Sequence, residues 1–190
     1  VFGDVVSGLA VDGLNLFHAS HTNNINSRTF RNLIRNTAGT ANPGLSRDAI
    51  IKARADARLY KDPNNVNRPV RLDTLLVSAN KEDLAERIVF STGVQGTPNV
   101  DMNPLKGKIS SIKVWEKLDT RSDGTDTSAY WFLYDSKRVK KCLKSPFAQR
   151  PMMFEAENVT ETGNWLYPLD AYYTIGLGYP AYIFGSTGVN

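Results

Sequence analysis

The residues of this chain that could do chemistry are few and scattered. Its two histidines are His18 and His21, its one cysteine is Cys142, and Glu155, Glu157 and Glu161 stand close together near the C-terminal end. A zinc site needs three or four protein ligands in a tetrahedral array. The histidines lie three apart with Asp4, Asp12 and Ser20 near in sequence, and the cysteine is remote. On an extended segment residues three apart point to opposite faces, so both histidines read as polar loop residues making hydrogen bonds. Cys142 lies between Lys137 and Lys144, whose charges favour a thiolate, yet a lone thiol usually acts as a small half-buried group. A single cysteine forms no intrachain disulfide and fits a reducing compartment. Glu155 and Glu157 would share one face of a strand, which reads as a solvated edge. No Gly-x-Ser-x-Gly elbow or Cys–His signature occurs. Thr92-Gly93-Val94-Gln95-Gly96 lacks the Lys-Ser/Thr of a phosphate loop and reads as a flexible connection. The sequence points away from an enzyme, and neither cofactor nor metal is expected.

A basic stretch carries more weight. Lys137, Arg138, Lys140, Lys141, Lys144 and Arg150 are six positive charges, and Asp135 is the only acid among residues 135–150. Six phosphate contacts would give salt-sensitive affinity. The stretch reads either as a solvated helix face or as a surface turned toward DNA or an acidic neighbouring subunit. Just before it, Tyr130, Trp131, Phe132 and Tyr134 fit sheet core and cross-strand pairs better than a base-stacking platform.

The elements that hold these residues follow from pattern. The 190 residues are 41% hydrophobic and 22% charged, ordinary for one globular domain or two small lobes. No run of apolar residues is long enough to span a membrane, and no basic-then-apolar signal peptide opens the chain. The net charge of +4 and pI of about 9.2 are mildly basic, compatible with facing a polyanion. Val1, Phe2, Val5, Val6, Leu9 and Val11 make a strand-like start that needs partners at once, so the chain is expected to be cut from a longer one. Residues 1–20 read as extended with a tight turn at Asp12-Gly13. Residues 20–44 read as a long polar loop broken by a helical turn over 30–34. Ser46 caps a helix with Asp48 in its first turn. Ile50, Ala53, Ala57 and Tyr60 form its inner face, and Pro63 stops it near Asp62. Residues 70–77 read as a buried strand. Asn80 caps a second helix in which Leu84 and Ile88 share a face, with Gly93 past its end. Strands follow over 108–118, 130–134, 152–159 and 165–184, with a polar tip over 120–128, one or two helical turns within 136–144 and breaks at Gly176, Gly178 and Pro180. The mixed order predicts the α+β class.

Several segments, taken in order, resemble a known family. Asp12-Gly13-Leu14-Asn15-Leu16-Phe17-His18-Ala19-Ser20-His21-Thr22-Asn23 resembles the "DG-x-x-LF-x-x-x-H-x-N" segment of Mu-like prophage major head subunits and related major capsid proteins. The family's polar loop and its helix with an "A-x-x-x-A" face are matched by residues 49–60. Leu75-Leu76-Val77 with Glu82 and Ala85 matches its strand-turn-helix. Trp131-Phe132-Leu133-Tyr134-Asp135 matches an aromatic strand, and Arg150, Pro151 and Glu155 a downstream segment. The resemblance covers most of the chain, though each motif alone is degenerate. It departs from the family at Ser78-Ala79-Asn80, where Pro-Pro is usual.

The resemblance implies a mixed-sheet α+β Hong Kong 97-like capsid fold, lacking the N-terminal arm, extended loop and spine helix. Residues of about 45–145 would be axial-lobe-like, and 1–44 and 146–190 peripheral-lobe-like. It implies a tailed-phage structural subunit that self-assembles into pentamers and hexamers of an icosahedral virion shell, built in the host cytoplasm around double-stranded DNA. DNA contact would be weak and non-specific. Scaffold, portal or decoration proteins would be further partners, and no membrane is involved. An encapsulin-like protein shell and a single-strand nucleic-acid binding module are the alternatives.

Overall fold

The computed structural model describes residues 12–22, 29–62, 64–93, 102–120, 124–141, 143–144, 147–159, 163–173, 176–178 and 180–188. In chain order the elements are β1 (His21–Thr22), β2 (Thr29–Phe30), α1 (Arg47–Arg58), β3 (Thr74–Val77), α2 (Glu82–Phe90), β4 (Ser111–Val114) and β5 (Trp131–Tyr134). There follow β6 (Leu143–Lys144), β7 (Phe147–Met153), β8 (Glu157–Val159), β9 (Asn164–Leu166), β10 (Leu169–Tyr173), β11 (Gly176–Leu177) and β12 (Ile183–Ser186). The chain is mixed α+β.

A four-stranded sheet of order β12-β5-β3-β4 organises the core. β3 and β4 run parallel, joined through α2, while β5 runs antiparallel to both β3 and β12. The strand-turn-helix expected at 70–90 is therefore completed into a β-α-β crossover by β4. Side chains alternate across the sheet. Leu75, Val77, Trp131, Leu133 and Phe184 point to the face covered by α1 and α2. Phe132 and Ile183 point to the other face, where Leu16, Phe17 and Leu118 cover them. Covered on both sides, Trp131, Phe132 and Leu133 are fully buried, which is why this strand reads as a continuous apolar run. Trp131 Nε1 donates to Pro43 O at 3.0 Å and Ser186 Oγ to the same oxygen at 2.7 Å, tying the loop before α1 to the sheet.

α1 follows its sequence signals closely. Ser46 is the N-cap, its side chain accepting from Ala49 N at 3.3 Å. Ile50, Ala53, Ala57 and Tyr60 are all buried. The helix ends at Arg58, before the expected stop near Asp62. The Ala57 carbonyl accepts from Val70 N at 3.0 Å, so the returning chain takes a bond that a longer helix would need.

Other expectations are corrected. Asn80 does not cap α2; it lies in a three-ten turn, Ala79–Lys81, and its Nδ2 donates to Asp119 Oδ1 at 2.9 Å. The buried face of α2 is Ala85 and Val89, while Leu84 is 39% exposed and Ile88 partly buried. Both pairs satisfy the same four-residue spacing, and only packing on the sheet chooses between them. No helical turn forms at 30–34. β1 pairs with β2, Leu33 bridges Gly185, and Arg35 bridges Ala41. The strand expected over 70–77 is confined to β3. That over 108–118 shortens to β4 and a three-ten turn, Glu116–Leu118. Val114 is half-exposed because β4 is an edge strand. The long C-terminal strands divide into β7 to β12. Residues 1–11, the glycine loop from Val94 to Gly96, Asp123, Cys142 and Glu161 lie outside the described residues.

Candidate interaction surfaces

The basic stretch begins where β5 ends, and two carboxylates fold it into a turn. Asp73 accepts from Ser136 N at 2.9 Å and from Ser136 Oγ at 2.7 Å. Burial alone would push its carboxyl up, but these bonds and one from Thr74 outweigh it and hold the carboxyl below its usual range. Asp135, buried, accepts from Lys137 N at 3.0 Å and Arg138 N at 3.1 Å. The stretch then makes a three-ten turn, Val139–Lys141, and enters β6, one of the one or two helical turns expected there.

The six basic residues do not act alike. Lys137, Arg138 and Lys140 are exposed. Arg138 is engaged locally: its guanidinium lies 5.8 Å from the centre of the Tyr182 ring, donates to Pro69 O at 3.4 Å and sits 3.9 Å from Asp135. Lys137 and Lys140 are left as the plain exposed cations. The backbone places Lys141 in the turn, Lys144 in β6 and Arg150 in β7, while their side chains fall outside the described part. Of the four aromatics in and beside the strand, Trp131 and Phe132 are fully buried and closed to stacking, while Tyr130 and Tyr134 are half-buried.

Sequence reasoning placed the two histidines on opposite faces. The structure brings their rings edge to face, 5.9 Å between centres, because residues 12–20 bend rather than extend. Among the described residues no three metal-ligating side chains come together. His21 is fully buried. Its Nδ1 lies 2.8 Å from Asp12 Oδ2 and its Nε2 3.1 Å from Leu16 O. The Asp12-Gly13 turn is formed as expected, with Gly13 at φ 75°, and Asp12 Oδ1 accepts from Leu14 N at 3.2 Å. Asn32 completes the network, its amide donating to Leu16 O at 2.6 Å and to Pro180 O at 3.2 Å. The role of Asn32 has no local signal in the sequence, since its partners lie 16 and 148 residues away.

A shallow depression lies between the start of α1 and the side of α2, lined by residues that include Ser46, Asp48, Arg87 and Asn103. Its polar groups are already engaged. Ser46 caps α1, Arg87 pairs with Asp83, and the Asn103 amide donates to Ile88 O at 2.8 Å and Ser91 O at 3.1 Å. Such groups do not converge on a reacting atom.

Among the described residues, a group of exposed apolar side chains lies on two ribbons, apart from the isolated Met102 and Leu59. β7 pairs with β10 and β8 with β9, each a two-stranded sheet. On and beside them Met153 is 72% exposed, Leu169 66%, Tyr167 64% and Trp165 58%. Met152, Phe154 and Leu166 are exposed as well. Met153 and Leu169 are cross-strand partners. Glu155 is exposed in the connection from β7 to β8, and so does not share a strand face with Glu157. Isolated two-stranded ribbons are marginal in water, and apolar patches of this kind mark interaction sites.

No helix among the described residues is long and apolar enough to cross a membrane. Comparison with family models, with curated proteins and with solved structures yields no match.

Proposed function

We propose that this chain is a shell-forming structural subunit, a major capsid protein resembling Mu-like prophage major head subunits, with a fold of the Hong Kong 97 class. On this reading it assembles into pentamers and hexamers of an icosahedral shell around double-stranded DNA, and its work is association rather than catalysis. The carrying observation is the exposed apolar surface of the β7–β10 and β8–β9 ribbons. Large apolar side chains and unpaired strand edges are stable when neighbouring copies cover them. Repeated around a ring, individually weak contacts of this kind close a shell. Lys137 and Lys140 supply an exposed positive surface for weak contact with packaged DNA. The single-strand binding alternative is weakened by the burial of Trp131 and Phe132, two of the four aromatics it would use for stacking.

Electron microscopy of the gene product that contains this sequence, expressed alone, tests the proposal. Closed shells, or rings of five or six copies, are expected. Monomers alone, under salt and crowding conditions that favour assembly, would overturn it.

A further inference from the structure

The buried His21 ring is in an unusual hydrogen-bonding position. Nδ1 faces the Asp12 carboxylate at 2.8 Å and Nε2 faces the Leu16 carbonyl at 3.1 Å. Neither oxygen has a proton to give when Asp12 is ionised. A neutral imidazole has one N–H and one lone pair, so it satisfies only one of these acceptors; the imidazolium satisfies both. In the neutral ring the Nε2 lone pair would point at a carbonyl lone pair inside the core.

Among the described residues, the charged and titratable groups facing the ring are Asp12, from the preceding turn, and His18, whose ring is 5.9 Å away. β2 contributes only the Phe30 ring, stacked at 5.1 Å, and behind it lies the Tyr60 ring, 5.5 Å from Phe30. Asn32 contributes an uncharged amide. His18 Nδ1 already accepts from Ser20 N at 3.1 Å. Among the described residues, Asp12 is thus the anionic group this network turns toward the ring.

We propose that His21 is a proton-operated latch, which holds residues 12–22 closed over the sheet when both ring nitrogens are protonated and loosens them when one proton leaves. The latch matters because the same segment supplies Leu16 and Phe17, which cover Phe132 and Ile183. It is anchored at both ends: Asp12 also accepts from Thr22 N at 3.1 Å, and Asn32 Oδ1 accepts from His18 N at 2.8 Å. Asp12 sets the acid limit. Burial alone would raise its carboxyl, but the bonds from His21, Leu14 and Thr22 outweigh that and lower it. A lowered carboxyl stabilises the folded form above its ordinary range and loses that contribution as pH falls through the folded value. The latch rests on the two oxygens that face the ring nitrogens, whether or not the chain builds shells.

The test uses the whole chain. Long-range proton–nitrogen spectra of the imidazole rings report which nitrogens carry protons. Amide exchange at Leu14, His18 and Thr22, normalised to intrinsic rates, reports opening of the segment. Both His21 nitrogens are expected to be protonated wherever the segment is protected. Opening should increase by about tenfold as the second proton is lost, the effect of one charge-assisted hydrogen bond. In His21→Gln that alkaline increase should vanish. A single neutral tautomer throughout the protected range, or the same alkaline increase in His21→Gln, would overturn the latch. Should His21→Gln not fold, the ring spectra of the unmodified chain decide alone.

Discussion

Alanine at position 185 puts the cover of the second sheet face under direct strain. A Cβ on Gly185 would lie 2.7 Å from Cδ1 and Cε1 of Phe17 and 2.9 Å from its Cγ, against roughly 3.5–4.0 Å for relaxed carbon contacts. Phe17 has little room to retreat, since it is 7% exposed and its ring centre is 5.2 Å from that of the fully buried Phe132. β12 has little room either. Gly185 N donates to Asn32 O at 3.1 Å and Gly185 O accepts from Ile34 N at 2.9 Å, on the side away from β5. Overpacking of this kind costs about 1–3 kcal/mol. Restricting the unfolded chain returns roughly 0.4–1 kcal/mol, because Gly185 has a backbone conformation that alanine accepts. The net loss for Gly185→Ala lies between about 0 and 2.6 kcal/mol, centred near about 1.3 kcal/mol, or a midpoint lowered by roughly 3–5 °C at that centre in a chain of this length. Urea and thermal unfolding would measure it, with an unchanged denaturant slope showing that the native state is the one affected. Phe17→Leu makes space for the new methyl, so the double variant should be more stable than the sum of the single losses, by at least about 0.5 kcal/mol. A stabilising Gly185→Ala, or strict additivity with Phe17→Leu, would refute the packing of residue 17 on β12.

Acid sensitivity should pass through Asp56. Burial pushes its carboxyl up, but bonds from Arg35 at 2.9 Å and Lys52 at 2.9 Å outweigh this and lower it. Its stabilising contribution is present above the ordinary carboxylate range and lost as pH falls through the folded value, so Asp56→Asn should flatten the acid limb of stability against pH in equilibrium unfolding. Met153→Lys with Leu169→Glu replaces exposed cross-strand partners by a pair of opposite charge and should change monomer stability by no more than about 0.5 kcal/mol. The same pair should abolish large assemblies in sedimentation and microscopy, and assembly at the parental level would remove the ribbons from the interface. Lys137→Glu with Lys140→Glu should weaken binding to a double-stranded DNA fragment. The log–log salt slope should fall by about 2, and DNA packaging left untouched in the assembled particle would show that this surface does not face DNA.

The legible part of the fold was the part decided locally. Ser46 as a cap, the Ile50-Ala53-Ala57-Tyr60 stripe and the 131–134 strand each carry their signal within a few residues, and each is where the pattern put it. The α2 face was ambiguous because Leu84 with Ile88 and Ala85 with Val89 fit one period equally well. Asn80 looked like a cap because its residue type suits one, yet its amide is held by Asp119, 39 residues on. The helical turn expected at 30–34 gave way to bonds with Gly185 and Pro180, which no local pattern announces.

The surfaces divide in the same way. The sequence by itself determined the absence of a recognisable catalytic motif, the cluster of cations after Asp135 and the mixed α+β order, because composition and spacing are properties of neighbours along the chain. Tertiary structure decided which cations stay uncommitted: Arg138 is taken by Tyr182 and Pro69, while Lys137 and Lys140 are not. It also decided that Asp12 and His21 meet, and that Met153, Trp165 and Leu169 are left uncovered while Trp131 and Phe132 are enclosed. An apolar residue in a strand pattern is equally ready for a core or an interface. What separates the two is whether another part of the chain packs over it, and that depends on contacts far apart in sequence.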